Sequence, residues 1–132
     1  MPSQTATALE QFPEDQMRFA LEGFFAIIER WDVDNETARI LLGSPAQRTF
    51  FEWKAGNAKR VSIDTLRRVG YIAGIFKALE ILYSNSTLAD TWVKRPNKFF
   101  ADQTPLQRMA AGDIVDLAAV RAYVDAARGP WS

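Results

Sequence analysis

The sequence predicts an all-α protein built as one compact unit. Apolar residues recur at three- and four-residue steps along most of the chain, and no stretch alternates between apolar and polar residues as a strand would. Helix-capping residues and Gly or Pro breaks separate the periodic stretches. At 132 residues the chain has the size of a single domain and is long enough to bury a core without cross-links.

The N-terminal part predicts a tail followed by two helices. Residues 1–14 are polar and aperiodic, which is typical of a flexible tail. Asp34 or Asn35 is placed to cap a short second helix, which ends at Gly43 before a proline. The first helix is predicted from Asp15 because the following apolar residues have helical spacing: Met17, Ala20, Leu21, Phe24, Ile27, Ile28 and Trp31.

The middle of the chain predicts a short helix and then the longest one. The third helix runs from Ala46 to Ala55 and ends at Gly56. Ser62 is placed to cap the fourth helix, which forms the structural spine. Its main apolar stripe consists of Leu66, Val69, Ile72, Ala73, Phe76, Leu79 and Tyr83. Tyr71, Ile75 and Leu82 lie off this stripe, and this surplus predicts burial against a second copy, so we expect a homodimer.

The last third predicts shorter helices. Ser86 is placed to cap a helix that runs to Val93, where Pro96 follows closely. Thr104-Pro-Leu-Gln is a capping box with Pro at the first helical position, and its helix ends at Gly112. Asp113 is placed to cap the last helix, which ends at Gly129-Pro130.

The segment 15–60 has the pattern of a helix-turn-helix. The small Ala38 allows a close helix crossing, Leu41 and Leu42 fill the core of the pair, and Gly43 makes the turn. Residues 46–68 hold six basic and two acidic residues, although the whole chain has no net charge. The candidate DNA-binding residues are Arg48, Thr49, Lys54, Lys59 and Arg60. A solvated charged face explains the same charges equally well.

The residue inventory disfavours an enzyme. Cysteine and histidine are both absent, which removes thiolate and imidazole metal ligands, Cys nucleophiles and the commonest general base. Glu22 and Glu29 lie seven apart on one helix face, an arrangement that surface carboxylates show far more often than catalytic ones. We expect no catalytic residue, no metal and no cofactor. A signal peptide and a membrane span are also absent from the pattern, so the prediction is a cytoplasmic protein.

The C-terminal third has too many aromatics for a simple connection between helices. Trp92, Phe99 and Phe100 flank a polar, basic segment with Pro96-Asn97, and Tyr123 and Trp131 follow. Rigid aromatic and Arg side chains dominate the energetics of protein interfaces. This third is therefore predicted to dock a partner, and Asn97 is interpreted first as a turn former.

These residues also resemble the Xre/MbcA/ParS family of bacterial antitoxins over roughly residues 16–131. The resemblance begins with the Leu-Leu-Gly turn and Trp53-Lys-Ala-Gly56, and continues through Asp64 to Leu79. Its end carries the motifs that are similar to the toxin-binding region of the family: Trp92, Arg95-Pro96-Asn97, Phe99-Phe100, Thr104-Pro105-Leu106, Gly112, Leu117, Val120-Arg121, Tyr123 and Arg128-Gly129.

The resemblance implies an antitoxin that holds a partner toxin inactive, often an NAD-consuming toxin with a RES domain. From the aromatic and Arg residues of the last helix and tail, we expect residues 121–132 to cover the active site of the toxin. The resemblance also implies dimerisation and repression of the protein's own operon. The implied architecture is a helix-turn-helix-like region at 15–60, joined in one compact unit to the central helix and small C-terminal toxin-binding region at 61–132. The toxin-binding residues it implies are Trp92, Arg95, Asn97, Phe99, Phe100, Arg121, Tyr123, Arg128 and Trp131.

Three classes of function therefore remain open on the sequence. The first is the antitoxin, favoured by the aromatic C-terminal third. The second is a transcriptional regulator whose C-terminal region only dimerises, favoured by the basic centre. The third is an enzyme that works through carboxylates or Lys, disfavoured by the missing His and Cys.

Overall fold

A computed structural model describes residues 13–129. Within this range the chain forms seven α-helices and two short 3-10 helices and no strand, which confirms the all-α prediction. The predicted tail, residues 1–14, lies outside the described residues apart from Pro13 and Glu14, and Glu14 is already helical. The α-helices are α1 (Glu14–Arg30), α2 (Asn35–Leu41), α3 (Gln47–Lys54), α4 (Ile63–Leu82), α5 (Ser86–Thr91), α6 (Pro105–Met109) and α7 (Ile114–Arg128); the 3-10 helices are Trp92–Lys94 and Lys98–Phe100.

The long helix α4 is the centre of the fold. It packs against α1, α5 and α7, while α3 packs on α1 and α6 on α7. The largest fully buried side chains come from both halves of the chain, among them Trp31, Phe24, Phe50, Ile72, Leu79, Met109 and Leu117. One core therefore connects the N-terminal helices to the C-terminal ones.

The predicted apolar stripe of α4 is correct at Val69, Ile72 and Leu79, which are buried. It is wrong at Ala73, which is exposed, and the surplus assigned to a second copy is wrong at Ile75, which is fully buried inside the protomer. Helices pack on more than one side of α4, so more than one of its faces must be apolar. Ile75 therefore gives no support to a dimer.

The helix starts follow the capping pattern of the sequence. Asp34, Ser62, Thr104 and Asp113 each accept a hydrogen bond from a backbone N–H in the first turn of their helix. The exception is α5, where Asn85 rather than Ser86 is the cap; its Oδ1 accepts from Thr87 and Leu88. At Asp34, the hydrogen bond from the backbone N–H of Thr37 holds the pKa of the carboxyl below its usual value.

Arg68 joins three segments of the fold. Its Nε donates to Asp64 Oδ2 at 2.9 Å, and its Nη1 donates to the carbonyl oxygen of Gly112 at 3.0 Å. A Cβ on Gly43, in the turn after α2, would lie 3.1 Å from Arg68 Nε. Arg68 is one of the six basic residues of the segment 46–68, but its side chain is buried and stabilises the fold.

Two ion pairs attach the C-terminal region to the end of α1. Arg30 Nη2 lies 3.0 Å from Asp90 Oδ2, and the guanidinium also covers the Phe76 ring at 5.1 Å. Lys94 Nζ donates to the carbonyl oxygen of Asp32 and lies 3.5 Å from its carboxylate. Together with α4, these contacts hold the two parts of the chain in one arrangement. Over the described residues, none of the helices combines the length and the hydropathy required to cross a membrane.

Candidate functional site

The outward face of α7 is apolar, and most of it is exposed within the described part of the chain. Val115, Ala119, Ala122 and Ala126 follow one another at steps of three or four residues, so they share one side of the helix. This side lies opposite the buried residues Leu117, Val120 and Val124. Val115 is 64% exposed, and Ala122 and Ala126 are exposed as well. We call Val115, Ala119, Ala122 and Ala126 the α7 face.

An aromatic cluster forms one edge of the α7 face. The Tyr123 ring lies 4.7 Å from the Phe99 ring and 5.4 Å from the Phe100 ring, and it stacks on Trp92 at 6.0 Å between ring centroids. Phe99 and Tyr123 line a shallow groove of about 620 Å³ together with alanines of α7. Small residues and a broad ring side by side form a surface that a partner can approach closely.

The predicted aromatic contacts divide into exposed and buried members. Phe99 is 67% exposed, whereas Phe100 is 3% exposed and Trp92 is 7% exposed. The Phe99 ring is therefore accessible at the surface. Trp92 and Phe100 belong to the core and support the ring of Tyr123 from below.

Asn97 organises the loop that carries Phe99. Its Oδ1 accepts a hydrogen bond from the Phe99 N–H at 2.9 Å, and its carbonyl oxygen accepts from Phe100 and Asp102. Its own N–H donates to Gln103. Asn97 is a turn former, as the sequence indicates, and its side chain is occupied within the loop.

Arg95 also has a role within the fold. Its Nη atoms donate to Thr91 Oγ1 at 3.1 Å and to the Leu88 carbonyl oxygen at 3.3 Å, and its guanidinium lies 5.8 Å from the centre of the Tyr83 ring.

A charged row forms the other edge of the α7 face. Arg121 Nε donates to Asp125 Oδ2 at 3.0 Å, and Arg128 Nη1 lies 3.9 Å from Asp125 Oδ1. Arg121 and Arg128 thus lie on one side of the helix, with the carboxylate between them. Trp131, the last predicted contact, lies outside the described residues.

The alanines of the α7 face were not among the residues predicted from the sequence. A run of small residues at exposed positions resembles ordinary helix filler, because Ala has the highest helix propensity. Their spacing opposite Leu117, Val120 and Val124 is the signal that would have found them.

The candidate DNA-binding residues lie on and after α3. Arg48 is exposed, with 91% of its side chain accessible, and its Nε lies 3.2 Å from Glu52 Oε1. Lys54 donates to Asn35 Oδ1 at 2.6 Å, Thr49 is half-buried, and Lys59 and Arg60 are exposed. The aromatic character of α3 has a structural reason, since Phe50 and Trp53 point into the core and Phe51 is exposed.

Acidic residues lie beside one of these cations, Lys54, in a groove next to α3. Glu22 and Glu29, noted in the sequence, line an open groove of about 600 Å³ beside α3 together with Asp32. Carboxylates close to α3 oppose the approach of a phosphate backbone on that side. Lys59 and Arg60 lie in the loop after α3 and do not line this groove.

An exposed helix face that combines small residues, an exposed aromatic ring and a charged edge is typical of proteins that bind other proteins. Residues 78–130 match the family model described as the antitoxin Xre/MbcA/ParS C-terminal toxin-binding domain. The C-terminal part of the chain therefore belongs to the Xre/MbcA/ParS antitoxin family as its toxin-binding domain, and this domain implies a cognate toxin as partner. The matched segment contains α5 to α7 and the whole α7 face.

The chain is also similar to an uncharacterized protein, y4oB, of Sinorhizobium fredii (strain NBRC 101917 / NGR234). The two are 43% identical over 109 residues, which cover 83% of this chain and 84% of y4oB. The similarity therefore extends beyond the toxin-binding domain into the N-terminal helices. No solved structure matches the chain.

Proposed function

We propose that this antitoxin neutralises an NAD-consuming toxin with a RES domain by laying α7 and the segment after it over the toxin's active site. The observation that supports the proposal is the α7 face, an uncovered apolar surface within the toxin-binding domain. Its aromatic and Arg edges are of the residue types that dominate binding energy in interfaces. The toxin's own residues do the chemistry in this proposal, and the antitoxin only excludes substrate.

The test of this function is a rescue experiment in growing cells. The gene next to the antitoxin gene is expressed alone and together with the antitoxin, and growth and cellular NAD are measured. The proposal expects growth arrest and loss of NAD with the neighbouring gene alone, and restoration of both on co-expression. A neighbouring protein that leaves NAD unchanged would exclude the RES assignment.

Substitutions of the neighbouring residues Phe99 and Phe100 distinguish an effect on toxin binding from an effect on folding. Phe99→Ala should weaken toxin binding by about 10- to 30-fold, since exposed aromatic anchors at interfaces cost about 2 kcal/mol when truncated. Its unfolding temperature should stay close to that of the parent. Phe100→Ala should lower the free energy of unfolding by about 3 kcal/mol, because it opens a cavity in the core. Calorimetric titration with toxin and thermal unfolding measure the two effects.

The contrary result for this pair is equally clear. If Phe99→Ala destabilises the protein as much as Phe100→Ala does, Phe99 is a structural residue and the aromatic edge contributes no direct contact.

The second part of the proposal is repression of the antitoxin's own operon. The supporting residues are exposed cations at the N-terminal end of the molecule, chiefly Arg48, Lys59 and Arg60, with Thr49 and Lys54 beside them. The ion pair between Arg48 and Glu52 and the neighbouring acidic groove favour a role in phosphate contact over base reading.

Salt dependence tests the DNA contact. Replacing Lys59 and Arg60 together by Ala should lower the slope of log affinity against log salt by about two per protomer, since each phosphate contact contributes about 0.9. Toxin neutralisation should be unchanged, because neither residue belongs to the α7 face or to its two edges. Lys77→Ala, which removes an exposed cation from α4, is the control and should leave the slope as it is. Binding that does not respond to salt would remove DNA contact from the proposal.

A homodimer remains part of the proposal, although Ile75 no longer supports it. The exposed aromatics Phe19 on α1 and Phe51 on α3 are the features of the N-terminal helices that favour self-association. Such a dimer leaves the α7 face free for the toxin.

In the alternative, a regulator whose C-terminal region only dimerises, the α7 face is itself the dimer contact. Sedimentation of an Ala122→Glu variant distinguishes the two, because only the second dimer would dissociate.

A further inference from the structure

Gly74 lies in the middle of α4. The guanidinium of Arg121, on α7, packs against it. A Cβ added to Gly74 would lie 1.9 Å from Arg121 Nη1 and 2.2 Å from Arg121 Cζ. Gly74 has no positive φ, so backbone freedom does not explain a glycine here. The absence of a side chain does, because the Arg121 guanidinium occupies the space that a side chain would fill.

The guanidinium of Arg121 is fixed on two sides. Asp125 Oδ2 accepts a hydrogen bond from its Nε at 3.0 Å, and its Nη1 packs against Gly74. The side chain is still 37% exposed. Within residues 13–129, neither Nη atom has a hydrogen-bond acceptor. Arg121 therefore presents oriented N–H groups at the charged edge of the α7 face.

We propose that Gly74 is a positioning residue. Because it has no side chain, it leaves the space in which the Arg121 guanidinium lies ready to bind a carboxylate of the toxin. A planar guanidinium matches a carboxylate in two parallel hydrogen bonds, and holding it in place beforehand reduces the entropy lost on binding. The inference rests on the proposed toxin-binding function and adds to it. Gly74 lies outside the matched segment 78–130, so α4 contributes to the specificity of the toxin-binding domain from beyond its boundary.

The matched substitutions are Gly74→Ala and Gly70→Ala, one turn apart on α4. A Cβ at position 70 meets nothing within 4 Å. Gly74→Ala should displace Arg121 without unfolding the protein, because the atom it strikes is the flexible end of a side chain. Against the purified toxin from the rescue experiment, Gly74→Ala should raise the Kd about 10-fold, the loss of one positioned charge-assisted contact. Gly70→Ala should leave the Kd unchanged, and both unfolding temperatures should equal or exceed that of the parent.

A double-mutant cycle shows whether Gly74 acts through Arg121. Arg121→Met should raise the Kd by about 10-fold or more, and adding Gly74→Ala to it should change nothing further. Added NaCl should weaken the parent more than Arg121→Met, which a purely structural role would not produce. Equal toxin affinity of Gly74→Ala and Gly70→Ala, or additive effects in the cycle, would overturn this inference alone. If the parent itself fails to bind the toxin, the proposed function fails and takes this role of Arg121 with it.

Discussion

Ala122→Glu should abolish toxin neutralisation while the protein stays folded. Ala122 is exposed in the centre of the α7 face, so a carboxylate there costs nothing in the free protein. In the complex it would be buried against the toxin without a partner, and we expect the Kd to rise about 100-fold or more. Growth rescue and titration calorimetry measure the loss.

The control for this change is Ala73→Glu, which places the same charge on an exposed position of α4. Lys77 lies four residues further along the helix and can pair with the new carboxylate. Ala73→Glu should therefore keep the parent affinity. If both variants neutralise the toxin as the parent does, the α7 face is not the docking surface.

Arg68→Ala should be the most destabilising substitution of a charged residue in this protein. It leaves the carbonyl of Gly112 without its donor and opens space beside the turn at Gly43. Asp64 is more than half exposed and remains hydrated, which limits the cost. We expect a loss of about 2 to 3 kcal/mol in the free energy of unfolding, or roughly 5 to 10 °C in the unfolding temperature.

Arg67→Ala is the matched control, because the neighbouring side chain has the same charge and is exposed. It should change the free energy of unfolding by less than about 0.5 kcal/mol. Chemical denaturation of the two variants gives the comparison. Equal stabilities would contradict the assignment of Arg68 as the residue that joins α4, the α2 turn and the segment before α7.

The helices were predictable because their signals are local. Asp34, Ser62, Thr104 and Asp113 cap helices through contacts a few residues away, and the sequence places them correctly. The error at α5 has the same local origin, since Asn85 and Ser86 are both good caps and only the backbone decides between them.

The assignment of faces was harder because it depends on contacts across the chain. Ile75 appears surplus on a single helix, and only the helices packed on several sides of α4 explain its burial. Arg67 and Arg68 are equivalent in the sequence. Only Arg68 is buried, and it donates a hydrogen bond to the carbonyl oxygen of Gly112, 44 residues away. The sequence likewise predicts the toxin-binding residues as a group. Only the fold shows that Phe99 is exposed and Phe100 is buried.

The position of α4 has a consequence for exchanging parts between antitoxins. The matched toxin-binding domain begins at residue 78, inside the helix Ile63–Leu82, and Gly74 on the preceding turn accommodates a side chain of α7. A chimera joined at that boundary would combine residues 63–77 of one helix with residues 78–82 of another and would set a foreign residue against Arg121. A chimera that is to keep its specificity for the toxin therefore needs the whole of α4 from the same antitoxin as α7. The suitable junction is the loop between α3 and α4, before Ser62.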